Sequence, residues 1–153
     1  MKLMKHRICN VGKQDYLQLI EIWEKSVRAT HEFLPDKAIH ELKPLILNHY
    51  LDAVFLQCSK NMEGEIIGFI GIAEQKIEML FISPDVQGHG IGSALCQYAI
   101  EHLGVTKVDV NEQNPRAREF YEKMGFNVVN RSEFDGQGNP YPILHMEKEQ
   151  RKL

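Results

Sequence analysis

With 153 residues, 43% of them apolar and 25% charged, the chain is long enough to bury a core as one domain over residues 1–153, and its average composition excludes disordered and fibrous classes. A net charge of −3 argues against nucleic acid as the main partner, because phosphate-backbone binding needs a basic surface, and suits a cationic substrate such as an amine. No apolar run reaches the ~18 residues of a membrane span, so a membrane is not expected as a partner either.

The N-terminal stretch Met1–Arg7 is basic but lacks the apolar segment of a signal peptide, and the expected location is cytoplasmic. Residues 5–10 form a candidate first strand. Tyr16, Leu19, Ile20, Trp23 and Val27 recur at helical spacing, which predicts a helix over about 14–29 with one apolar face. Thr30 to Asp36 reads as a loop ending in a helix start at Pro35-Asp36. Ile39, Leu42, Ile46 and Tyr50 predict more helix, interrupted at Pro44, which lacks the N–H that a helix interior requires.

From Ala53 the pattern turns to strands. Ala53–Ser59 and Glu65–Glu74 flank the turn signal Asn61-Met62-Glu63-Gly64, and Gly68 and Gly71 mark a bulge or a close backbone approach. Lys76–Ile82 is a further strand, stopped by Ser83-Pro84-Asp85. Ile91, Leu95, Tyr98, Ala99 and Leu103 mark an amphipathic helix. There follow a strand at Lys107–Val110, a helix at Pro115–Met124, a strand at Phe126–Arg131, a turn at Asp135–Pro140 and a last strand at Ile143–Lys148. An antiparallel meander followed by alternating strands and helices implies an α/β (α+β) fold, with a mixed, mostly antiparallel central sheet and helices on both faces. Cys9, Cys58 and Cys96 are odd in number and scattered, with no Cys-x-x-Cys pair, so neither a disulfide framework nor a metal site is expected.

The richest stretch is Gln87-Gly88-His89-Gly90-Ile91-Gly92-Ser93, between a strand and an amphipathic helix. Glycines there allow a tight turn and close approach of a ligand, and the free N–H groups of the helix start attract phosphate oxygens. A plain glycine-rich connection is the alternative. Two other phosphate motifs fail on spacing. No lysine follows the glycines as a P-loop requires, and Ser93 stands where a dinucleotide fingerprint needs its last glycine.

Gln87-x-x-Gly90-x-Gly92 resembles the Arg/Gln-x-x-Gly-x-Gly/Ala signature of the GNAT acetyltransferases. Leu80-Phe81-Ile82-Ser83-Pro84 is similar to the strand before it in that family, and Asn111 to Phe126 to its second motif. The likeness spans about residues 66–126, and the element order outside it agrees. Ser26-Val27-x-Ala29-Thr30-His31-x-Phe33-Leu34, Val110–Asn114 and Pro140-Tyr141-Pro142 resemble more narrowly the YjaB-like bacterial branch. The resemblance implies a GNAT fold and direct transfer of acetyl from acetyl-CoA, as cosubstrate, to a primary amine of a small molecule, peptide or protein. It implies that Leu80, Phe81 and Ile82 pair with the pantetheine arm, with a backbone N–H there serving the carbonyl oxygen. Gln87, Gly88, His89, Gly90, Ile91, Gly92 and Ser93 would hold the pyrophosphate, and Asn114 would bond the coenzyme arm, although Asn114 before Pro115 is also a natural helix cap.

Acyl transfer to an amine needs a base for the amine, a donor for the carbonyl oxygen and an acid for the leaving thiolate. Tyr121 stands at the family's position for the acid, the alternative being a core aromatic beside Phe120. Glu78, an acid inside an otherwise apolar strand, is a candidate base that partial desolvation would strengthen. Asp109 on the next strand competes with it, and either residue also fits a solvated or ion-paired sheet position. His31 and Glu32 stand on a loop that in this fold overlooks the acceptor, and Tyr141 is a candidate wall of the same site. Cys96, inside a helix, reads as packing, which favours direct transfer over an acetyl-cysteine. Two other readings stay open at this point, an acyl-CoA sensor without turnover and an interaction protein that forms a homodimer through a sheet edge.

Overall fold

The computed structural model describes residues 5–149. Strands β1 (Arg7–Asn10), β2 (Phe55–Lys60), β3 (Ile66–Ala73), β4 (Lys76–Ile82), β5 (Lys107–Asn111), β6 (Phe126–Ser132) and β7 (Ile143–Lys148) form a seven-stranded sheet in the order β1-β2-β3-β4-β5-β7-β6. Every neighbouring pair is antiparallel except β4 and β5, which are parallel and joined by a helical crossover. Helices α1 (Tyr16–Thr30) and α2 (Asp36–Leu45) lie toward one face, α3 (Ile91–His102) and α4 (Pro115–Lys123) toward the other.

The sheet divides two apolar cores. On the α1 side Leu19, Ile20, Trp23 and Val27 meet Leu56, Cys58 and Phe69. On the α3 side Ile91, Leu95, Cys96 and Ala99 meet Ile70, Val108, Phe126 and Met146. Because β3 lies between the two, it is buried on both faces, which is why it reads as an unbroken apolar run. Each large side chain buried in this way contributes roughly 1.5–3 kcal/mol. At Gly68 the space is already filled, since a Cβ would stand 2.7 Å from Ile82 Cδ1 and 3.3 Å from Ile91 Cγ2.

The expected break at Pro44 is displaced. Helix α2 runs through it to Leu45 and continues as a π-helical turn over Ile46–Tyr50. Proline removes a donor and crowds the preceding turn, and a widened turn downstream accommodates it without ending the helical path. Glu24 of α1 accepts hydrogen bonds from Arg28 (3.0 Å) and Lys43 (2.6 Å), and Arg28 also pairs with Asp36 (2.7 Å), so α1 and α2 hold the connecting loop 31–35 at a fixed angle.

The joint between β4 and β5 sets up everything that follows. Parallel pairing covers only Lys76 with Lys107 and Ile77 with Val108, although β4 continues to Ile82 and β5 to Asn111. The closed end is pinned by the β3–β4 hairpin, where Glu74 (φ 50°) and Gln75 (φ 67°) adopt left-handed conformations and the Gln75 carbonyl accepts from Thr106 and Lys107 N–H at 2.9 and 3.2 Å. Just past that end the β3–β4 register shifts. Gly71 faces Met79 and Ile72 faces Ile77, which leaves Glu78 as the unpaired residue of a bulge. The bulge reverses the side-chain alternation, so Ile77 and Leu80 both join the α3 core while Met79 and Phe81 join the α1 core.

Replacing Gly68 with alanine should cost roughly 1–3 kcal/mol of stability by overpacking against Ile82 and Ile91. Urea unfolding of the two proteins measures it. Equal midpoints would mean that the Ile82 side chain yields freely.

Candidate active site

Where β4 and β5 part, a cavity of about 500 Å³ opens. Leu80, Phe81 and Ile82 of β4 form one wall. Gln87, Gly88, Gly90, Ile91, Gly92 and Ser93 form the end at α3, and Asn114, Ala117, Phe120 and Tyr121 the wall at α4. Ser26, Ala29, Thr30 and His31 close it from α1. Since α1 and α3 pack on opposite faces, the cavity straddles the sheet through the gap. The edge of β4 beyond Ile77 has no strand beside it there, so its N–H and C=O groups are available to an extended ligand.

The α3 end is built for an anion. Gly90 is the N-cap of α3 at φ 79°, a left-handed conformation that side-chain-bearing residues rarely adopt, and no side chain caps the helix. The N–H groups of the first turn are therefore free, and the helix dipole adds partial positive charge at the same place. Across the cavity Asn114 caps α4, its Oδ1 accepting from Ala117 N–H at 3.2 Å. That bond leaves the Asn114 amide donors for a ligand, so capping and binding are compatible.

Tyr121 is buried, its ring held edge-on between Phe120 (5.0 Å) and Phe126 (5.7 Å). Among the described residues its hydroxyl has no hydrogen-bond partner, and the residue lines the cavity. Burial pushes its phenol well above the usual range, so the hydroxyl keeps its proton at any working pH and serves as a donor. Cys96 is completely buried and its thiol is pushed up to about 12 by desolvation, which leaves it a packing residue and no nucleophile.

The other expected residues divide. His31 lines the cavity, shares a hydrogen bond of 2.8 Å with Thr30 Oγ1, and is held below the usual imidazole range by burial, hence neutral. His89 and Glu32 are not among the lining residues. Tyr141 borders a second cavity, of about 410 Å³, between α2 and the β6–β7 loop. Phe33 links the two, its ring 5.4 Å from His31 and 5.8 Å from Tyr141. Glu78, expected to be half desolvated, is instead exposed at the bulge and pairs with Lys76 at 3.6 Å, outside the cavity lining. Asp109 is also outside the lining and is held by Lys76 (3.0 Å) and His145 (2.8 Å). Sequence reasoning missed Ser26, Thr30, Arg116 and Phe120 as lining residues. Only Arg116 carried a signal, a cation directly after the Asn114-Pro115 helix start. Among the described residues no group of three or more His, Cys, Asp or Glu could hold a metal ion, and no helix is long and apolar enough to cross a membrane.

Comparison with known proteins bears on the family and the fold. The model of the acetyltransferase (GNAT) domain matches residues 31–150. The chain is 41% identical over 129 residues, 84% of its own length and 88% of the relative's, to the peptidyl-lysine N-acetyltransferase YjaB of Salmonella typhimurium strain LT2. The solution structure of apo-form YjaB from Escherichia coli superposes with a TM-score of 0.86 at 36% identity, covering 97% of this chain and all (100%) of that one. PaiA N-acetyltransferase from Thermoplasma acidophilum, solved in complex with coenzyme A, shares the fold at a TM-score of 0.75 and 22% identity, covering 96% of this chain and 100% of its own.

Valine at Gly90 would force a β-branched residue into the left-handed region and displace the free N–H groups of α3. Gly90→Val should weaken coenzyme A binding by at least ~10-fold, about 1.4 kcal/mol, while the circular dichroism stays that of the parent. Calorimetric titration with coenzyme A decides it, and equal affinity in a folded variant would remove the α3 end from the site.

Proposed function

The chain belongs to the GNAT acetyltransferase family, and on that premise we propose that it moves acetyl from acetyl-CoA directly to the side-chain amine of a lysine in a peptide or protein, in the cytoplasm. One observation carries the reading. A cavity straddles the sheet with an uncapped helix N-terminus at one end and a buried, un-ionised tyrosine hydroxyl in its wall. The lysine acceptor draws its support from the YjaB relative, named a peptidyl-lysine N-acetyltransferase, which aligns with most of both chains.

The residues then divide the work. The first-turn N–H groups of α3, with Gln87 and Ser93 at the same end, receive the pyrophosphate, and Arg116 adds positive charge nearby. The unpaired edge of β4 accepts the pantetheine arm as an added strand, and the Asn114 amide donates to it. A backbone N–H of Leu80–Ile82 faces the carbonyl oxygen as it gains negative charge. The amine nitrogen attacks the thioester carbon and the carbon–sulfur bond breaks. Tyr121 gives its proton to the departing sulfur and regains one from the nitrogen, which must lose it to become an amide. His31, neutral, and Phe33 border the acceptor's approach from the α1 side, with Glu32 and Tyr141 beyond them. Glu78 and Asp109 supply negative charge on that side, which draws an ammonium toward the gap. A sensor without turnover has no use for a proton donor in this wall, so Tyr121 favours the enzyme.

Tyr121→Phe deletes one oxygen and keeps the ring that packs against Phe120 and Phe126. Turnover on a lysine peptide should fall by roughly 10²-fold, with coenzyme A affinity and melting temperature nearly unchanged. Thiol release against peptide concentration is the measurement. Parent-like kcat in the variant would make Tyr121 a packing residue and leave protonation of the thiolate to water.

A further inference from the structure

Acetyl transfer needs a group that takes a proton from the amine, and the roles above leave that post open. Glu78 and Asp109, the two acids that the sequence offers for it, both pair with Lys76 outside the cavity lining. Among the residues that line the cavity, His31, Arg116 and Tyr121 have side chains that carry charge or titrate. An arginine holds its proton at every working pH, and burial makes Tyr121 hold its own. His31 is left as the lining side chain that can gain a proton near neutrality.

The hydrogen bonds around His31 fix its tautomer. Thr30 Oγ1 lies 2.8 Å from the carbonyl oxygen of Ser26, one turn back along α1, and 2.8 Å from His31 Nδ1. A carbonyl only accepts, so the single hydroxyl proton of Thr30 goes to Ser26. Thr30 Oγ1 then presents lone pairs to Nδ1, which must be the ring nitrogen that carries hydrogen. Nε2 keeps its lone pair, and no hydrogen bond occupies it among the described residues. Ser26, Thr30 and His31 all line the cavity, on the α1 side.

His31 is also the C-cap of α1, its backbone N–H donating to the Val27 carbonyl at 2.8 Å. The negative end of the helix dipole lies there and favours an imidazolium. Burial acts the other way and holds the free imidazole below its usual range. The ring is thus neutral before an acceptor arrives, and the helix end supports the charge that it takes on. Phe33, its ring 5.4 Å away, and the ion pairs of Glu24, Arg28, Asp36 and Lys43 hold the loop that follows.

We propose that His31 is the general base, its Nε2 taking a proton from the substrate ammonium directly or through one water, an inference that rests on the acetyl-transfer reading. His31, the β4 edge at Leu80–Ile82 and Tyr121 are walls of one space, so no strand stands between this base and a thioester lying there. A lysine amine is neutral in only about one molecule in 10³ at pH 7, which is the shortage that a base on this wall relieves. The ammonium passes one proton to Nε2, and the free amine attacks the thioester carbon. The carbon–sulfur bond breaks, the second nitrogen proton follows the Tyr121 route to the sulfur, and the imidazolium returns the first to water. Net, one ammonium and one thioester become one amide, one thiol and one proton. His31 touches the substrate, and Thr30 is a positioning residue that fixes the tautomer.

The test is kcat/KM for a lysine peptide from pH 5 to 10, read by thiol release. The charged and titratable groups around His31 are Glu32 beside it, Arg28 and Asp36, paired with each other where α1 and α2 meet, Tyr141 beyond Phe33, and Arg116 and Tyr121 in the same cavity wall. The parent should show an ascending limb below the usual imidazole range, because its base is free above it. His31→Gln should lose about 10²-fold at pH 7 and regain most of it toward pH 10, where the amine deprotonates in water. Free imidazole should restore turnover to His31→Ala. Thr30→Val should lose roughly tenfold near neutrality, and Thr30→Ser, which keeps the hydroxyl, should restore the parent's profile. Coenzyme A affinity and melting temperature, measured on each variant, report folding separately. Should His31→Gln fail to fold, the contrast between Thr30→Val and Thr30→Ser decides, and equal profiles in those two overturn the proposal. A parent-like profile in folded His31→Gln, a loss equal at every pH, or a limb that moves instead in Glu78→Gln or Asp109→Asn overturns His31 as the base and leaves acetyl transfer standing. Failure of the parent enzyme to acetylate any lysine peptide overturns the acetyl-transfer reading, and the base with it.

Discussion

Two residue pairs make up the whole parallel ladder between β4 and β5, and the separation beyond them is the constraint on which the site depends. A sheet paired along its full length would spend the inner edge of β4 on β5 and close the passage between the faces. Here the Gln75 carbonyl clamps the start of β5, and the bulge at Glu78 turns β4 away directly after the clamp. The crossover that returns the chain as β5 begins with the glycine turn, so the same connection that makes the strands parallel also delivers the free N–H groups of α3 to the gap. Fold and site are consequences of one local divergence.

The passage is electrically polarised from face to face. At the α3 end lie dipole-backed N–H groups and Arg116, suited to phosphates. On the α1 face lie Glu78, Asp109 and the exposed Glu32, suited to a cation. Between them the walls are apolar and aromatic, and there Tyr121 and Cys96 both hold their protons because desolvation penalises the anion of each. Cys96 helps to build the dry environment around the tyrosine, and burial keeps its own thiol protonated.

Local signals carried much of this into the sequence. The apolar period of α1, the unbroken run of β3, the glycine turn and the Asn114-Pro115 helix start each depend on a few neighbouring residues, and each lies in the structure where its pattern points. What the pattern missed depends on distance. Nothing between residues 126 and 148 says that β7 inserts between β5 and β6, because both orders bury the same apolar faces. Glu78 lacks the desolvation expected of an acid inside an apolar strand, because the bulge, which no local pattern signals, leaves it exposed. His145 carried no signal at all. It lies 36 residues from Asp109, and only the β5–β7 register brings the two together. Pro44 shows the opposite failure, a strong local rule accommodated by one widened turn.

Because the cavity draws its walls from both faces of the sheet, the proposed function gives the coenzyme and the acceptor separate doors. Neither substrate stands in the other's way, and each product can leave by the route its precursor took. Steady-state analysis should therefore meet intersecting lines and random binding order. A dead-end analogue of the coenzyme would compete with acetyl-CoA alone, and an inhibitor seated on the α1 face would compete with the amine alone. The acceptor door can also change its lining, and with it the range of proteins admitted, without disturbing the phosphate grip on the far side.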